Sequence, residues 1–401
     1  MFLMFLALLA GGWGCTAPDE VLLYDPLSQE PVRIGILLPL TGKDADRGKK
    51  MLNGARFAAD ELNSKRGHFG RQVDLVVVDT NSTGEGAARA LSAAVDAGAV
   101  GVVGGYSTAE ARSMTALARV HRVPLVIPMA TGDDDVIGFN KFVFRSVFTD
   151  KQQSDMIAGY MKYYRRVERV VVAVSMDVAD VYSRNVARDV AAAFREIGGE
   201  VACVCEVDLK DPRRAMRNAT SFVPDAIVLP FEAATAAKCF KLLRELGYKG
   251  LICGPDSWDD PEFFKQLQGM KNPGNSFYTA FFSDDARHNE YKQFRDNFRK
   301  KRYYFPDSCE IQTFDAVNML LTGLGNNATS LKQFKKNWGS MRKHAGAAAI
   351  YTMNKDNKID RTIYINRVGQ ASDQSGKLVP KNIAGLQHSR LEVYKVDSDE
   401  E

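Results

Sequence analysis

The sequence predicts an α/β protein made of two doubly wound units of similar size. Three observations support this fold class. Short apolar runs typical of buried parallel strands alternate with amphipathic helical segments from residue 32 onward. The same alternation starts again after the segment 142–148. The chain of 401 residues, with 45% hydrophobic and 25% charged residues, is long enough for two folded cores.

The first unit has four predicted strands with helices between them. Its first helix places Met51, Ala55, Ala58, Ala59 and Leu62 on one face, which is the spacing of an amphipathic helix. The sequence shows no short-period repeat, which argues against a solenoid. The predicted strands are 32–38, 73–78, 100–103 and 125–127, and the predicted helices are 48–64, 86–97 and 109–120.

The second unit repeats this pattern and is followed by a less regular C-terminal part. We predict strands at 167–174, 201–207, 226–229 and 251–253, with helices at 150–164, 182–197, 213–221 and 235–246. Further helices are predicted at 289–301, 310–324 and 331–341, and β segments at 348–352, 362–366 and 391–396. Residues 368–387 are rich in Gly, Ser and Lys and are predicted to form a loose loop.

Charge and motif content argue against several function classes. The 53 basic and 49 acidic residues are spread along the chain, without the basic stripe that nucleic-acid binding needs. No nucleophile-elbow, zinc-protease or phosphate-loop motif is present, so we expect no enzyme, no cofactor and no metal site. Acidic and polar segments at 133–135 and 354–358 have the composition of surface turns rather than of cation sites.

The cysteines do not form a metal-binding or disulfide pattern. The six cysteines include no C-x-x-C pair, so zinc spacing is absent. Cys203 and Cys205 alternate along a predicted strand and share one face, a geometry that we expect to be poor for a bond between them. Buried free thiols are therefore the simplest expectation.

The N-terminus has the features of an export signal. Residues 1–10 are an apolar run that is too short to span a bilayer. They are followed by Gly12-Trp13-Gly14-Cys15, which resembles the lipobox of bacterial lipoproteins. We therefore predict a signal peptide over 1–15, lipidation of Cys15 and a tether over 16–31. The predicted location is periplasmic or at the cell surface, with the lipid as the sole membrane contact; the alternative is that Cys15 is an incidental thiol near a cleavage site.

Two strand ends in the first unit predict a ligand site. The apolar run that ends near Gly104 leads into Ser107, and the run that ends near Ile127 leads into Thr131. Ser107 and Glu110 have the spacing of a capping box, so a helix with unpaired backbone N–H groups is predicted to begin there. Such a helix start can bind a carboxylate. The alternative is that Ser107 simply caps a helix and Thr131 simply ends a loop.

Several motifs, in order, resemble the leucine/isoleucine/valine-binding family of type I periplasmic binding proteins. They are Ile34-Gly-Ile-Leu-Leu-Pro-Leu-Thr-Gly42, Gly54-Ala-Arg-Phe-Ala-Ala-Asp-Glu-Leu-Asn63, Gly101-Val-Val-Gly-Gly-Tyr-Ser-Thr108, Val126-Ile-Pro-Met-Ala-Thr131, Phe144-Arg145 and Gly254-Pro-Asp-Ser-Trp258. The resemblance implies two Rossmann-like lobes joined by three hinge crossings, near Val147, Phe282 and Tyr351. Lobe 1 would comprise 32–147 and 283–351, and lobe 2 would comprise 148–282 and 352–398.

The resemblance also implies which residues bind a ligand. The first lobe would hold the α-carboxylate and α-ammonium of an amino acid at Ser107, Thr108, Ala130 and Thr131. In the second lobe, the positions that match the family pattern are Tyr182 as the closing aromatic, Phe231 at a strand end and Asp256 as the acid for the ammonium, with Glu232 as a second candidate acid. A buried ammonium needs such a partner.

Arg47 departs from the family pattern, which often has an aromatic residue there. An arginine at the cleft could pair with a second carboxylate on the ligand, and this argues against a branched-chain side chain. The alternative is a solvated loop charge. The resemblance further implies a monomer that delivers its ligand to an ABC permease in the membrane. A ligand-sensing or regulatory protein of the same fold is the other reading.

Overall fold

The computed structural model describes residues 21–133, 138, 140–270, 273–283, 289–341, 344–353, 359–370, 378–387 and 393–394. The predicted signal peptide, Cys15 and residues 16–20 of the predicted tether lie outside these residues, as do 134–135 and 354–358. In the part of the chain that is described, no helix combines the length and apolar character needed to cross a membrane.

The first sheet is parallel throughout and has the strand order β2-β1-β3-β4-β5. Its central strands are apolar and fully buried, as expected where helices cover both faces of a parallel sheet. The strands are β1 (Val32–Leu38), β2 (Val73–Asp79), β3 (Gly101–Gly104), β4 (Leu125–Ile127) and β5 (Val143–Arg145). The helices between them are α1 (Ala45–Asn63), α2 (Gly84–Asp96) and α3 (Thr108–Val120).

The second sheet has the order β11-β12-β13-β10-β9-β8-β6-β7, and β14 pairs with both β13 and β15. Strands β6 to β10 are parallel, while β13 joins β10 in antiparallel fashion. The strands are β6 (Arg169–Ser175), β7 (Glu200–Val207), β8 (Ala226–Val228), β9 (Leu251–Gly254), β10 (Ser276–Ala280), β11 (His344–Ala345), β12 (Ile350–Met353), β13 (Ile359–Gln370), β14 (Leu378–Gln387) and β15 (Val393–Tyr394).

The remaining helices cover the second sheet and return to the first. They are α4 (Asp150–Gly159), α5 (Val181–Glu196), α6 (Arg213–Ser221), α7 (Ala233–Glu245), α8 (Pro261–Leu267), α9 (Asn289–Arg302), α10 (Ser308–Leu324) and α11 (Leu331–Gly339). A π-helical turn (Tyr160–Tyr164) continues α4, and a 3-10 turn (Asp256–Trp258) precedes α8. The predicted alternation of strands and helices is therefore confirmed, and the predicted α/β class of two doubly wound units with it.

The chain passes between the two sheets after β5, after β10 and again at the pair β12–β13. Tyr351 of β12 packs in the hydrophobic cluster of the first sheet, whereas Ile363 of β13 packs in that of the second. Arg361, only 1% exposed, joins these passages because its guanidinium donates to the carbonyl oxygens of Ser146, at 2.8 Å, and of Phe281. The predicted residue boundaries of the two lobes stay a prediction.

Two local predictions are wrong. Residues 368–370 and 378–387 are not a loose loop: they belong to β13 and β14, which pair from Gln370 with Leu378 to Thr362 with Gln387, with one register shift between Ile365 and Asn366. Pairing with a partner strand outweighs the weak local β preference of this polar stretch. Cys203 and Cys205 do form a disulfide, because their Cα atoms lie 5.6 Å apart, within the range that a disulfide bridges. Cys239, Cys253 and Cys309 are buried free thiols, as expected.

Candidate functional site

The carboxyl ends of strands from both sheets meet at one cavity of about 550 Å³. This is within the size range of small-molecule sites, and the ends of parallel strands are where α/β sheets bind ligands. We call the side that follows β1, β3 and β4, together with the start of α10, the first wall. Its lining residues are Lys43, Arg47, Gly84, 106–109, Arg112, Ser113, 129–131, Ser308 and Cys309. The second wall follows β6, β8, β9 and β10 and is lined by 179–182, Glu232, Asp256, Ser257, Asp259, Asp260 and Phe281.

The first wall is built around the start of α3. Ser107 is the N-cap of this helix, and it forms a complete capping box with Glu110, as the sequence predicts. The carboxylate of Glu110 accepts the backbone N–H groups of Tyr106, at 3.1 Å, and Ser107, at 3.2 Å. Among the described residues, the amides of Thr108 and Ala109 have no acceptor, and both residues line the cavity. The helix therefore presents two unpaired N–H groups and its positive end to a ligand.

Ala130 and Thr131 complete this part of the first wall. The N–H of Ala130 donates to the carbonyl of Gly105 at 3.1 Å, and Arg145 donates to the carbonyl of Ala130 at 3.1 Å. These contacts hold the loop after β4 against the loop after β3. Thr131 is buried, with 4% of its surface exposed, yet it lines the cavity. Its carbonyl accepts the N–H of Asp150 at 2.8 Å.

Tyr182 and Asp256 form the centre of the second wall. The Tyr182 hydroxyl donates to Oδ1 of Asp256 at 2.9 Å. The N–H of Asp256 donates to Oε1 of Gln153 at 3.2 Å, which fixes the 3-10 turn that carries the acid. Burial raises the pKa of Asp256 to about 6, although the hydrogen bonds from Tyr182 and Gln153 act in the opposite direction. A cationic group of a ligand would favour the ionised carboxylate.

A second buried acid, Asp150, lies behind Asp256. It is 1% exposed and accepts Nε2 of Gln153 at 2.9 Å. Burial, and then the charge of Asp256, raise the pKa of Asp150 to about 8, although a hydrogen bond with the Thr131 side chain works against this. Within the described part of the chain, neither Asp150 nor Asp256 has an ion-pair partner. A positively charged group of a ligand could therefore serve as the missing partner of these two acids.

Glu232 and Asp180 extend the acidic character of the second wall. Asp180 caps α5 by accepting the N–H of Ser183 at 3.2 Å. Glu232 stands at the start of α7 with its side chain exposed in the cleft. Loss of water around the carboxylate between the two walls, and then the charges of Asp256 and Asp180, raise the pKa of Glu232 to about 7. The second wall is thus rich in carboxylates that repel one another.

Eight of the nine ligand-binding residues predicted from the sequence line this one cavity: Arg47, Ser107, Thr108, Ala130, Thr131, Tyr182, Glu232 and Asp256. Phe231 does not. It is fully buried in the hydrophobic cluster of the second sheet, and its carbonyl accepts the Ser257 hydroxyl at 2.9 Å. Its contribution is to support the wall from behind. The ligand-binding roles of the other eight residues stay predictions.

Arg47 lines the cavity and already has carboxylate partners within the protein. It lies in the first turn of α1, and its guanidinium forms an ion pair with Asp260 of the second wall. Asp307 lies 3.6 Å from the same guanidinium, and the Cys309 sulfur lies 3.9 Å from it. Its side chain is 17% exposed, so it is not a solvated loop charge.

Sequence reasoning missed three residues of the site: Asp150, Gln153 and Asp260. A local signal marks each region. Thr149 and Gln152 form a capping box at the start of α4, and Asp260 precedes a proline at the first position of α8. Both are sequence patterns of a helix start, but neither pattern indicates that the helix start faces a ligand.

Three comparisons with known proteins bear on this geometry. A family model described as periplasmic binding protein matches residues 31–375. The Leu/Ile/Val-binding protein BraC3 of Rhizobium johnstonii is 25% identical over 306 residues, which cover 76% of this chain and 81% of that protein.

Two solved structures share the fold. The leucine binding protein LivK from Thermotoga maritima has a TM-score of 0.74 and 26% identity, covering 87% of this chain and 97% of that one. LivJ from Streptococcus pneumoniae, a branched-chain amino acid transporter substrate binding protein in complex with isoleucine, has a TM-score of 0.75 and 24% identity. This match covers 88% of this chain and 99% of LivJ.

Proposed function

This chain belongs to the periplasmic binding protein family, with the type I fold of its branched-chain amino acid members, and we propose that it captures an amino acid between its two walls. The observation that carries the proposal is the cavity of about 550 Å³. It brings together an anion-binding helix start, on the first wall, and unpaired carboxylates, on the second. These are the two partners that the carboxylate and ammonium of one amino acid need.

In the proposed complex, the α-carboxylate accepts hydrogen bonds from the amides of Thr108 and Ala109 and from the hydroxyls of Ser107 and Thr131. The α-ammonium lies against Asp256, whose carboxylate Tyr182 holds in position at 2.9 Å. Because the ligand touches both walls, it stabilises the closed arrangement by its differential affinity for that arrangement. The relatives named for leucine, isoleucine and valine favour an aliphatic amino acid.

The proposed setting is extracytoplasmic. An apolar N-terminal run followed by Gly14-Cys15 supports export and lipid anchoring at Cys15. The closed form would then deliver the ligand to an ABC permease, since transporter substrate-binding proteins are among the structural relatives. The alternative, a sensing protein of the same fold, differs only in the partner that recognises closure.

Thermal unfolding of refolded, lipid-free protein tests the ligand assignment. Residues 16–401 would be refolded to remove carried-over ligand and heated with each common amino acid. A ligand at about 100 times its dissociation constant should add roughly 2.7 kcal/mol to the free energy of unfolding. A rise in the unfolding midpoint with one class of amino acid would support the proposal. No rise with any amino acid would refute the amino-acid assignment.

Two cellular measurements test the setting. Incorporation of a radiolabelled fatty acid into the full-length protein, abolished in Cys15→Ala, is the expected sign of lipidation. Deletion of the gene should abolish uptake of the labelled ligand if the protein serves a permease. Unchanged uptake together with a changed transcriptional response to the ligand would instead favour the sensing protein.

A further inference from the structure

The charges that line the cavity are separated by wall. Among the described residues that line the cavity, the cations Lys43, Arg47 and Arg112 lie on the first wall, and the carboxylates of Asp180, Glu232, Asp256, Asp259 and Asp260 lie on the second. Each wall by itself repels like charge, and the two attract each other across the cleft.

One ion pair bridges the walls directly. Arg47, on α1, binds Asp260, at the start of α8, and their side chains are only 17% and 29% exposed. Asp307 lies 3.6 Å from the same guanidinium and also binds Lys50. Arg47 therefore has a carboxylate on its own wall and one from the opposite wall. The positive charge of Arg47 is thus already neutralised when the two walls are in contact through Asp260.

We propose that Asp260 is a specificity-determining residue: by pairing with Arg47 across the cleft, it excludes ligands that carry a second carboxylate. This inference rests on the proposed function. A side-chain carboxylate near Arg47 would have to displace Asp260 and would then lie beside Asp260 and Asp307, two like charges. An aliphatic side chain meets no such cost. Arg47 acts here through Asp260 and not as a direct ligand for the substrate.

Asp260→Asn separates this role from a structural one. Oδ1 of Asp260 caps α8 by accepting the N–H of Glu262 at 2.7 Å, while Oδ2 pairs with Arg47. Asparagine caps a helix as well as aspartate does, so the variant keeps the cap and loses the charge. Calorimetric titration with leucine and with glutamate, at low and at physiological salt, measures the preference for leucine.

We expect wild-type protein to prefer leucine and Asp260→Asn to reduce this preference roughly tenfold, because Arg47 then loses one of its two carboxylate partners and can donate to the second carboxylate of the ligand. Glu245→Gln is the matched control. It removes the ion pair of Glu245 with Arg213, at 3.3 Å, which lies on the surface away from the cavity. A leucine preference that is the same in wild type, Asp260→Asn and Glu245→Gln would overturn the proposal.

A ligand-free measurement separates failure of this inference from failure of the proposed function. If wild-type protein binds no amino acid, the proposed function falls, but the bridge between the walls is still testable by small-angle scattering. Asp260→Asn should then have a larger radius of gyration than wild type, and the difference should shrink as salt screens the ion pair. Equal radii for wild type, Asp260→Asn and Glu245→Gln at every salt concentration would rule out the bridge.

Discussion

The acids of the two walls differ in how completely they are paired within the protein. On the first wall, Glu110 is fully buried and its carboxylate accepts hydrogen bonds from Thr80, Tyr106 and Ser107. On the second, Asp256 interacts with the side chains of Tyr182 and Gln153 and lines the cavity. Glu110 organises a helix start with unpaired N–H groups, whereas Asp256 has no ion-pair partner among the described residues. A buried acid whose hydrogen-bonding groups are all paired within the protein supports the structure. An acid that lacks a partner is available to a ligand.

The difference explains why neither wall is a binding site by itself. The first wall offers N–H groups and hydroxyls to an anion, and the second offers carboxylates to a cation. If an amino acid binds as proposed, it joins the walls because it carries both charges, and its binding then favours closure of the cleft. Substitutions on each wall test this division.

Removing the charge of the second wall should have the largest effect. Asp256→Asn leaves a bound ammonium without its partner, so we expect amino-acid affinity to fall roughly 100-fold in calorimetric titration. Tyr182→Phe removes only one hydrogen bond and should cost less, roughly threefold to tenfold. Since the pKa of Asp256 is raised to about 6, wild-type affinity should also fall as the pH drops below 6. Equal affinities for Asp256→Asn and wild type would contradict the assigned role.

The acid behind the second wall should make stability depend on pH. The folded state raises the pKa of Asp150 from its ordinary value to about 8, so folded protein binds more protons than unfolded protein between these values. The contribution of Asp150 to the free energy of unfolding is therefore largest at low pH and is lost as the pH rises toward 8, by about 2 to 4 kcal/mol. Urea unfolding of ligand-free protein from pH 5 to 8 measures this slope.

Asp150→Asn should flatten that pH dependence, since the side chain no longer titrates. Asp208→Asn, which changes an exposed acid that does not line the cavity, is the control and should leave the slope unchanged. If the slope survives in Asp150→Asn, another group is responsible for it.

On the first wall, Thr131→Val replaces a hydroxyl by a methyl group of nearly the same shape. We expect amino-acid affinity to fall about tenfold, because the ligand carboxylate loses one hydrogen bond. The variant also loses the hydrogen bond to the buried carboxyl of Asp150, so the ligand-free unfolding midpoint should fall by an amount that corresponds to about 1 kcal/mol. A large drop in that midpoint without a change in affinity would show that Thr131 serves only its contact with Asp150.

The smallest effect is expected at the helix cap. Ser107→Ala removes the N-cap of α3 and should lower the free energy of unfolding by about 1 kcal/mol. Ser107→Asn restores a cap and should recover most of this stability. Because the amides of Thr108 and Ala109 stay in place, affinity should fall less in Ser107→Ala than in Thr131→Val. The reverse order would move the main carboxylate contact to Ser107.

Much of the fold and half of the site could be predicted from the sequence because local patterns encode them. Apolar runs and amphipathic spacing placed most strands and helices within a few residues of their observed bounds. The capping box of Ser107 and Glu110 is a pattern of four consecutive residues, and it marked the first wall correctly. The ordered family motifs supplied Tyr182, Glu232 and Asp256, which line the second wall.

Only the tertiary structure decided the contacts between residues that are far apart in the chain. The bond of Asp256 with Gln153 spans 103 positions, and the ion pair of Arg47 with Asp260 spans 213. The pairing of β13 with β14, which turned a predicted loop into a sheet, likewise depends on a partner strand. Periodicity and capping report the preferences of neighbouring residues, so they determine elements and their ends. Which charge meets which across the cleft depends on how those elements pack, and no local pattern contains it.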